Sequence, residues 1–115
     1  MIKDNYLKLI EDTSKNIVIL SCDNQDIPKG MVAMSLSPLG FTDHLVSTEI
    51  AWWVEPDYRT SRMSLDLFKA AEYWSQKVGA SFIQFVSLST SEGSVDKFYT
   101  RMGYTMTEKA FLKEI

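Results

Sequence analysis

Cysteine is almost absent from this chain. A single residue, Cys22, excludes an internal disulfide and fits a reducing compartment such as the cytoplasm. No apolar run approaches the length of a membrane span, and Met1–Asn5 carry no apolar core of a signal peptide. The only histidine, His44, sits in a loop next to Asp43, and no Cys/His cluster has metal-ligand spacing. Neither a Gly-x-Ser-x-Gly elbow nor a phosphate-binding Walker loop occurs. Repeats and low-complexity tracts are missing too. Positive charge is not in excess: the net charge of −3 argues against nucleic acid as a partner, yet suits a cationic one such as an amine.

What is present describes an ordinary globular domain. Hydrophobic residues make up 45% and charged residues 23% of the 115 positions, enough for one domain with a modest core. Ile2, Tyr6, Leu9 and Ile10 recur at helical spacing, which predicts a short amphipathic helix within residues 1–13. Residues 17–22, rich in β-branched side chains, read as a buried strand. A turn from Asp23 to Gly30 leads to a second strand over 30–37 and a third over 46–54, joined as an antiparallel meander.

The most informative stretch is residues 48–79. Pro56 stops the third strand. From Met63, apolar residues recur at Leu67, Ala70, Ala71, Trp74 and Val78, a helical stripe that Gly79 can cap. A fourth strand over 81–88 follows, and the strand, helix, strand succession predicts a right-handed crossover with parallel strands. Ser94 can cap a second helix, with Val95, Phe98, Tyr99 and Met102 on its buried side and Gly103 at its end. Residues 104–115 are expected to form one or two closing strands. The order α-β-β-β-α-β-α-β implies an α+β or α/β sandwich on a mixed sheet. The turn between strand and helix gathers backbone N–H groups at the positive end of a helix dipole, a setting that attracts phosphate.

Two stretches resemble the GNAT superfamily of N-acetyltransferases. One is the loop Tyr58-Arg59-Thr60-Ser61-Arg62-Met63-Ser64, similar to the family's Arg/Gln-x-x-Gly-x-Gly/Ala after a strand and a proline. The other is Lys97-Phe98-Tyr99-Thr100-Arg101-Met102-Gly103-Tyr104, similar to its late helix ending in Phe-Tyr-x-x-x-Gly-Phe/Tyr. The resemblance covers roughly residues 30–115. Arg62 and Ser64 stand where the family has glycines. Tyr58–Arg62 and the tail Phe111–Ile115 look closer to phage-type members of the family. The chain is short for the family, so the resemblance implies one domain over 1–115 with shortened N-terminal elements: the first strand and most of the first helical region would be missing.

The resemblance implies an α/β/α sandwich, with a mostly antiparallel mixed sheet and helices on both faces. It also implies acetyl-CoA as co-substrate and transfer of acetyl to an amine-bearing acceptor, a small molecule or a protein. Arg59, Thr60, Ser61, Arg62, Met63 and Ser64 would bind the pyrophosphate, chiefly through backbone N–H groups, with Arg59 and Arg62 adding charge. Arg62 and Ser64 can serve if their φ stays negative. The N–H of Val54 would hold the acetyl carbonyl if the strand bulges there. Glu49 would be the base, directly or through water, with Glu55 as second candidate. Tyr99 would be the acid that protonates the thiolate.

Each residue also has a plainer reading. Glu49 is otherwise an exposed strand residue, Tyr99 a core residue, and the arginines solvated charges on a turn. Trp52 and Trp53 must point to opposite faces, one to the core and the other either to core under a helix on the far face, the plainer reading, or to an acceptor cleft. Cys22 reads as core rather than nucleophile, and His44 as an exposed loop residue. Three functions therefore compete: an N-acetyltransferase, a degenerate member of the fold that binds CoA or a protein without catalysis, and a phage-type modifier of nucleic acid bases. Completion as a homodimer through the C-terminal strands is a further expectation.

Overall fold

The computed structural model describes residues 6–13, 15–59, 62–86, 93–107 and 111–115. Two compact units make up the chain, Met1–Phe85 and Val86–Ile115.

The first unit is a five-stranded sheet in the order β1-β2-β3-β4-β5. Its strands are β1 (Tyr6–Asp12), β2 (Asn16–Cys22), β3 (Pro28–Pro38), β4 (Leu45–Val54) and β5 (Phe82–Gln84). The first three pairings are antiparallel, and β4 with β5 is parallel. The parallel pair requires a crossover, and helix α1 (Met63–Lys77) supplies it after a 3-10 turn at Pro56–Tyr58. The mixed, mostly antiparallel sheet is the one expected. Each strand from β2 to β4 and helix α1 falls within two residues of its expected bounds.

Residues 6–12 form a strand, where the spacing predicts a helix. Pairing with β2 decides this. Leu9 opposes Ile19 and Glu11 opposes Val18, so Ile10 is a bulge residue. The bulge breaks the strict two-residue alternation and leaves apolar side chains at mixed spacing, which imitates a helical stripe. Thr13 closes the hairpin, its N–H donating to Asn16 O and its Oγ1 accepting from Asn16 N–H, both at 2.9 Å. A strand therefore precedes β2, and the two form a hairpin.

The core lies between one sheet face and α1. Ile17, Ile19, Val32, Met34 and Val54 meet Met63, Leu67, Ala71 and Trp74, all buried. Phe68 is fully buried and stacks on Phe85 at 4.8 Å, with Trp52 at 5.7 Å from each. Ser75 Oγ, already donating to Ala71 O, lies 2.7 Å from Ser47 Oγ, so two buried hydroxyls satisfy each other under the helix. At the helix end Gly79 adopts φ +89°, and Ala80 N–H donates to Ser75 O, the closure expected of a left-handed cap.

The second unit contains helix α2 (Gly93–Arg101), ended by Gly103 at φ +91° with Tyr104 N–H donating to Tyr99 O. It begins one residue before Ser94, the expected cap. The expected closing strands are not formed among the described residues: 104–107 and 111–115 have no regular structure, and Phe111, Leu112 and Ile115 are exposed. Apolar side chains alone do not make a strand when no neighbouring ladder takes up their backbone groups. The fourth expected strand is likewise shorter, ending at Gln84.

Candidate functional site

The corner between β4 and α1 starts with a loss of pairing. β4 and β5 are matched at Val46 and Phe82, Ser47 and Ile83, and Thr48 and Gln84, and there the ladder ends. β4 continues for six more residues with β3 as its only strand neighbour among those described. The ladder between the two parallel strands ends at this point, and among the described residues β5 supplies no ladder partner to β4 beyond Thr48.

A bulge coincides with the end of this ladder. Ala33 pairs with Ala51 and Met34 with Glu49, so Ile50 is the extra residue. The expected bulge at Val54 is not there, since Val54 pairs in register with Gly30. The shift has a consequence for facing. Ser47 meets Ser75 on the helix side, and without a bulge Trp52 would face away from it. With Ile50 inserted, Trp52 and Val54 turn to the helix and Trp53 turns outward, half exposed at 49%. Sequence reasoning had the two tryptophans on opposite faces but could not assign the sides.

Val54 nevertheless directs its backbone to the edge of β4 away from β3. Glu55 N–H donates to Lys29 O at 2.8 Å, toward β3. Successive strand residues direct their amides to opposite edges, so the N–H and C=O of Val54 point the other way. The carbonyl accepts from Arg59 Nε at 2.9 Å. Arg59 thereby ties the turn to the strand end, while the remainder of its guanidinium offers further donors.

The helix start is built for close approach. Arg62 occupies the N-cap position at φ −75° and gives no side-chain cap, and Asp66 N–H donates back to Arg62 O. Its negative φ meets the condition set for a non-glycine residue here. Met63 is fully buried and Ser64 half-buried, so Met63 can serve a ligand only through its backbone. Thr60 and Ser61 lie outside the described residues. Gly30, which no sequence motif marks, makes the packing possible. A Cβ there would stand 3.0 Å from Met63 Sδ, 3.1 Å from Leu67 Cδ1 and 3.2 Å from Trp53 O.

Two charges brace the same corner. Lys29 Nζ lies 3.4 Å from a Glu55 carboxylate oxygen and 5.6 Å from the centre of the Tyr58 ring. Glu55, the second candidate base, is thus engaged by Lys29. Glu49, the first candidate, is the first β4 residue past the last β4–β5 pair, and its register partner Met34 places it on the helix face of the sheet.

Tyr99 belongs to the second unit. It is half-buried on α2, its ring 5.9 Å from Phe98 and 6.1 Å from Tyr104, and its hydroxyl is 3.5 Å from Val86 O. At that length this one hydrogen bond is weak. His44, exposed, lies with Nδ1 3.3 Å from Ser81 Oγ, outside the corner, and Cys22 is buried as expected. Among the described residues no group of His, Cys, Asp or Glu gathers in a way that could hold a metal ion. None of their helices is long and apolar enough to cross a membrane.

No family profile and no curated protein matches the sequence. Solved structures do match the fold. A Trypanosoma brucei acetyltransferase superposes with a TM-score of 0.80 at 14% identity, over 97% of this chain and 100% of that one. A GNAT family acetyltransferase of Staphylococcus aureus gives 0.70 at 14% identity, over 90% of this chain and 67% of its own. The aminoglycoside acetyltransferase AAC(6')-Iy, in complex with a bisubstrate analogue of CoA and monomethyl-acetylneamine, gives 0.72 at 14% identity, over 90% and 71%. The chain has the fold of the GNAT acetyltransferases.

Proposed function

We propose that the protein is an acetyl-CoA-dependent N-acetyltransferase that acts on a primary amine of a small molecule or protein. The observation that carries this reading is the end of the β4–β5 ladder after Thr48 and Gln84, with the start of α1 following the end of β4. Pantetheine is a slender chain bearing amides, suited to lie along β4 beyond the ladder as a further strand. The pyrophosphate would lie against the N–H groups from Arg59 to Ser64, with Arg59 and Arg62 for charge. Solved neighbours that hold CoA or a CoA analogue support the same ligand.

The residues divide the reaction among them. The amine lone pair attacks the acetyl carbonyl carbon, and the C–N bond forms. The oxyanion is held by the Val54 N–H. Glu49, on the helix face, takes the amine proton through water. As the C–S bond breaks, the departing sulfur takes a proton, a role that the motif Phe98-Tyr99 by its sequence resemblance assigns to Tyr99.

A second reading has its own observation. Arg62 fills the N-cap position where the family has glycine, so the loop carries a side chain where glycine has none. A protein that binds CoA without catalysis would tolerate this. The likeness of Tyr58–Arg62 to phage-type members supports placing the chain near that branch.

Calorimetric titration with acetyl-CoA, followed by a thiol-release assay over a panel of amines, separates the readings. Binding with turnover is expected. No binding at millimolar acetyl-CoA would remove the first reading, and binding without turnover on any amine would favour the second.

A further inference from the structure

The turn between β3 and β4 stands at the end of the sheet where the β4–β5 ladder begins. Pro38 pairs with Leu45, and Val46 with Phe82. Hydrogen bonds close its frame: Leu39 N–H donates to His44 O at 2.8 Å, Thr42 Oγ1 to Leu39 O at 2.7 Å, and His44 N–H to Thr42 Oγ1 at 3.2 Å. Gly40 makes the reversal at φ +57°. The turn is also tied sideways to the start of β5. Ser81 N–H donates to Leu45 O at 2.8 Å, His44 Nδ1 lies 3.3 Å from Ser81 Oγ, and the His44 ring stands edge-on to Phe82 at 6.0 Å. On this frame Phe41 is fully exposed, at 110%, and Leu39 is exposed as well. The charge along this part of the chain has one sign. From Gly30 to Tyr58 the sequence holds Asp43, Glu49, Glu55 and Asp57 and neither lysine nor arginine.

We infer that the turn at Phe41 docks a protein acceptor, a lysine-bearing segment that packs an apolar side chain on Phe41 and Leu39 and sets a basic one against Asp43. This rests on the transferase reading above and selects a protein over a small molecule as the acceptor class. The hydrogen bonds of the turn hold the Phe41 backbone in place before any partner arrives, so little ordering is left to offset the burial of the ring. Asp43, two residues on, is the charge that a basic segment would meet. Reach separates the acceptor classes. Four residues of β4, about 13 Å of extended chain, lie between Leu45 and Glu49. A peptide spans that distance, and a free alkylamine at Glu49 does not. An anionic lipid surface is a poor occupant, because the turn presents a carboxylate and carries no lysine or arginine to hold it.

The test compares n-butylamine with a pool of randomised peptides, each blocked at its N-terminus and bearing one lysine, as acceptors in the thiol-release assay with the full chain. The pool is expected to give the higher kcat/KM. Phe41→Ser should lower kcat/KM for the pool about tenfold and leave n-butylamine turnover and acetyl-CoA affinity unchanged. The side chain is fully exposed, so the melting temperature should not move, and its constancy shows that the variant is folded. Asp43→Asn should lower kcat/KM for the pool about twofold and weaken its dependence on salt. A pool used no better than n-butylamine, or a Phe41→Ser variant that affects both acceptors alike or neither, overturns the inference and leaves the transferase reading intact. Binding to phosphatidylserine vesicles that Phe41→Ser abolishes assigns the turn to lipid and overturns it too. Acetyl-CoA binding with no turnover on either acceptor overturns the transferase reading and this inference together.

Discussion

Arg59 Nε donates to the carbonyl of Val54 at 2.9 Å, five residues back along the chain. This one bond couples the end of β4 to the turn that leads into α1. A residue that resembles a phosphate ligand in the sequence is also a brace in the fold. Arg59→Ala should lower stability by about 1 kcal/mol, the usual size of one net hydrogen bond. It should weaken CoA binding by about fivefold or more, since the same change removes a cation from the corner. Urea unfolding and calorimetry read the two effects separately. Arg59→Lys should keep the charge but not the brace, and so lose stability while recovering part of the affinity.

Gly30→Ala tests the close approach of α1 to the sheet. Its backbone is not among the positive-φ residues, so the cost is steric only. Contacts of 3.0 Å to Met63 Sδ and 3.2 Å to Trp53 O leave little room, and Met63 begins the helix. A loss of about 1–3 kcal/mol is expected, with the helix start displaced. CoA affinity should fall along with the melting temperature. An unchanged affinity would mean that the helix start does not contact the ligand.

Phe68 is the anchor of the aromatic cluster with Trp52 and Phe85. It is fully buried, so Phe68→Ala should cost about 3–5 kcal/mol in chemical denaturation. For a chain of 115 residues that is a large part of the total stability.

Tyr99→Phe removes the phenol and keeps the ring against Phe98 and Tyr104. If Tyr99 is the acid, kcat should drop by about 10²-fold with acetyl-CoA affinity unchanged. Unchanged turnover would return Tyr99 to a packing role.

Lys29→Met breaks the ion pair with Glu55 and the contact with the Tyr58 ring. The pair is partly exposed, so the stability change should stay below about 1 kcal/mol. Hydrogen exchange at Glu55 and Tyr58 should quicken more than in the core of α1, because both N–H groups belong to this corner. Equal protection in the variant would show that Lys29 does not brace the turn.

The parts legible in the sequence were those that rest on neighbours along the chain. The stripe from Met63 to Val78, the caps at Gly79 and Gly103, and the stop at Pro56 are each local physics. The motif around Tyr58–Ser64 was legible for the same reason, as a turn between a strand and a helix. Gly30 was not, because its importance lies in Met63 and Leu67, which approach it from more than thirty residues away.

By itself, then, the sequence determined which segments can bury a face and where the chain must turn. It led to a mixed sheet with one crossover and to a corner that could hold a phosphate. Only the tertiary structure decided that residues 6–12 are a strand, that the bulge is at Ile50, and that the β4–β5 ladder ends after Thr48. The reason is that a strand has no internal hydrogen bonds. Its existence, its register and its bulges are settled by the neighbour that supplies the other half of each ladder pair, and for β4 one such neighbour, β5, lies beyond the whole of helix α1.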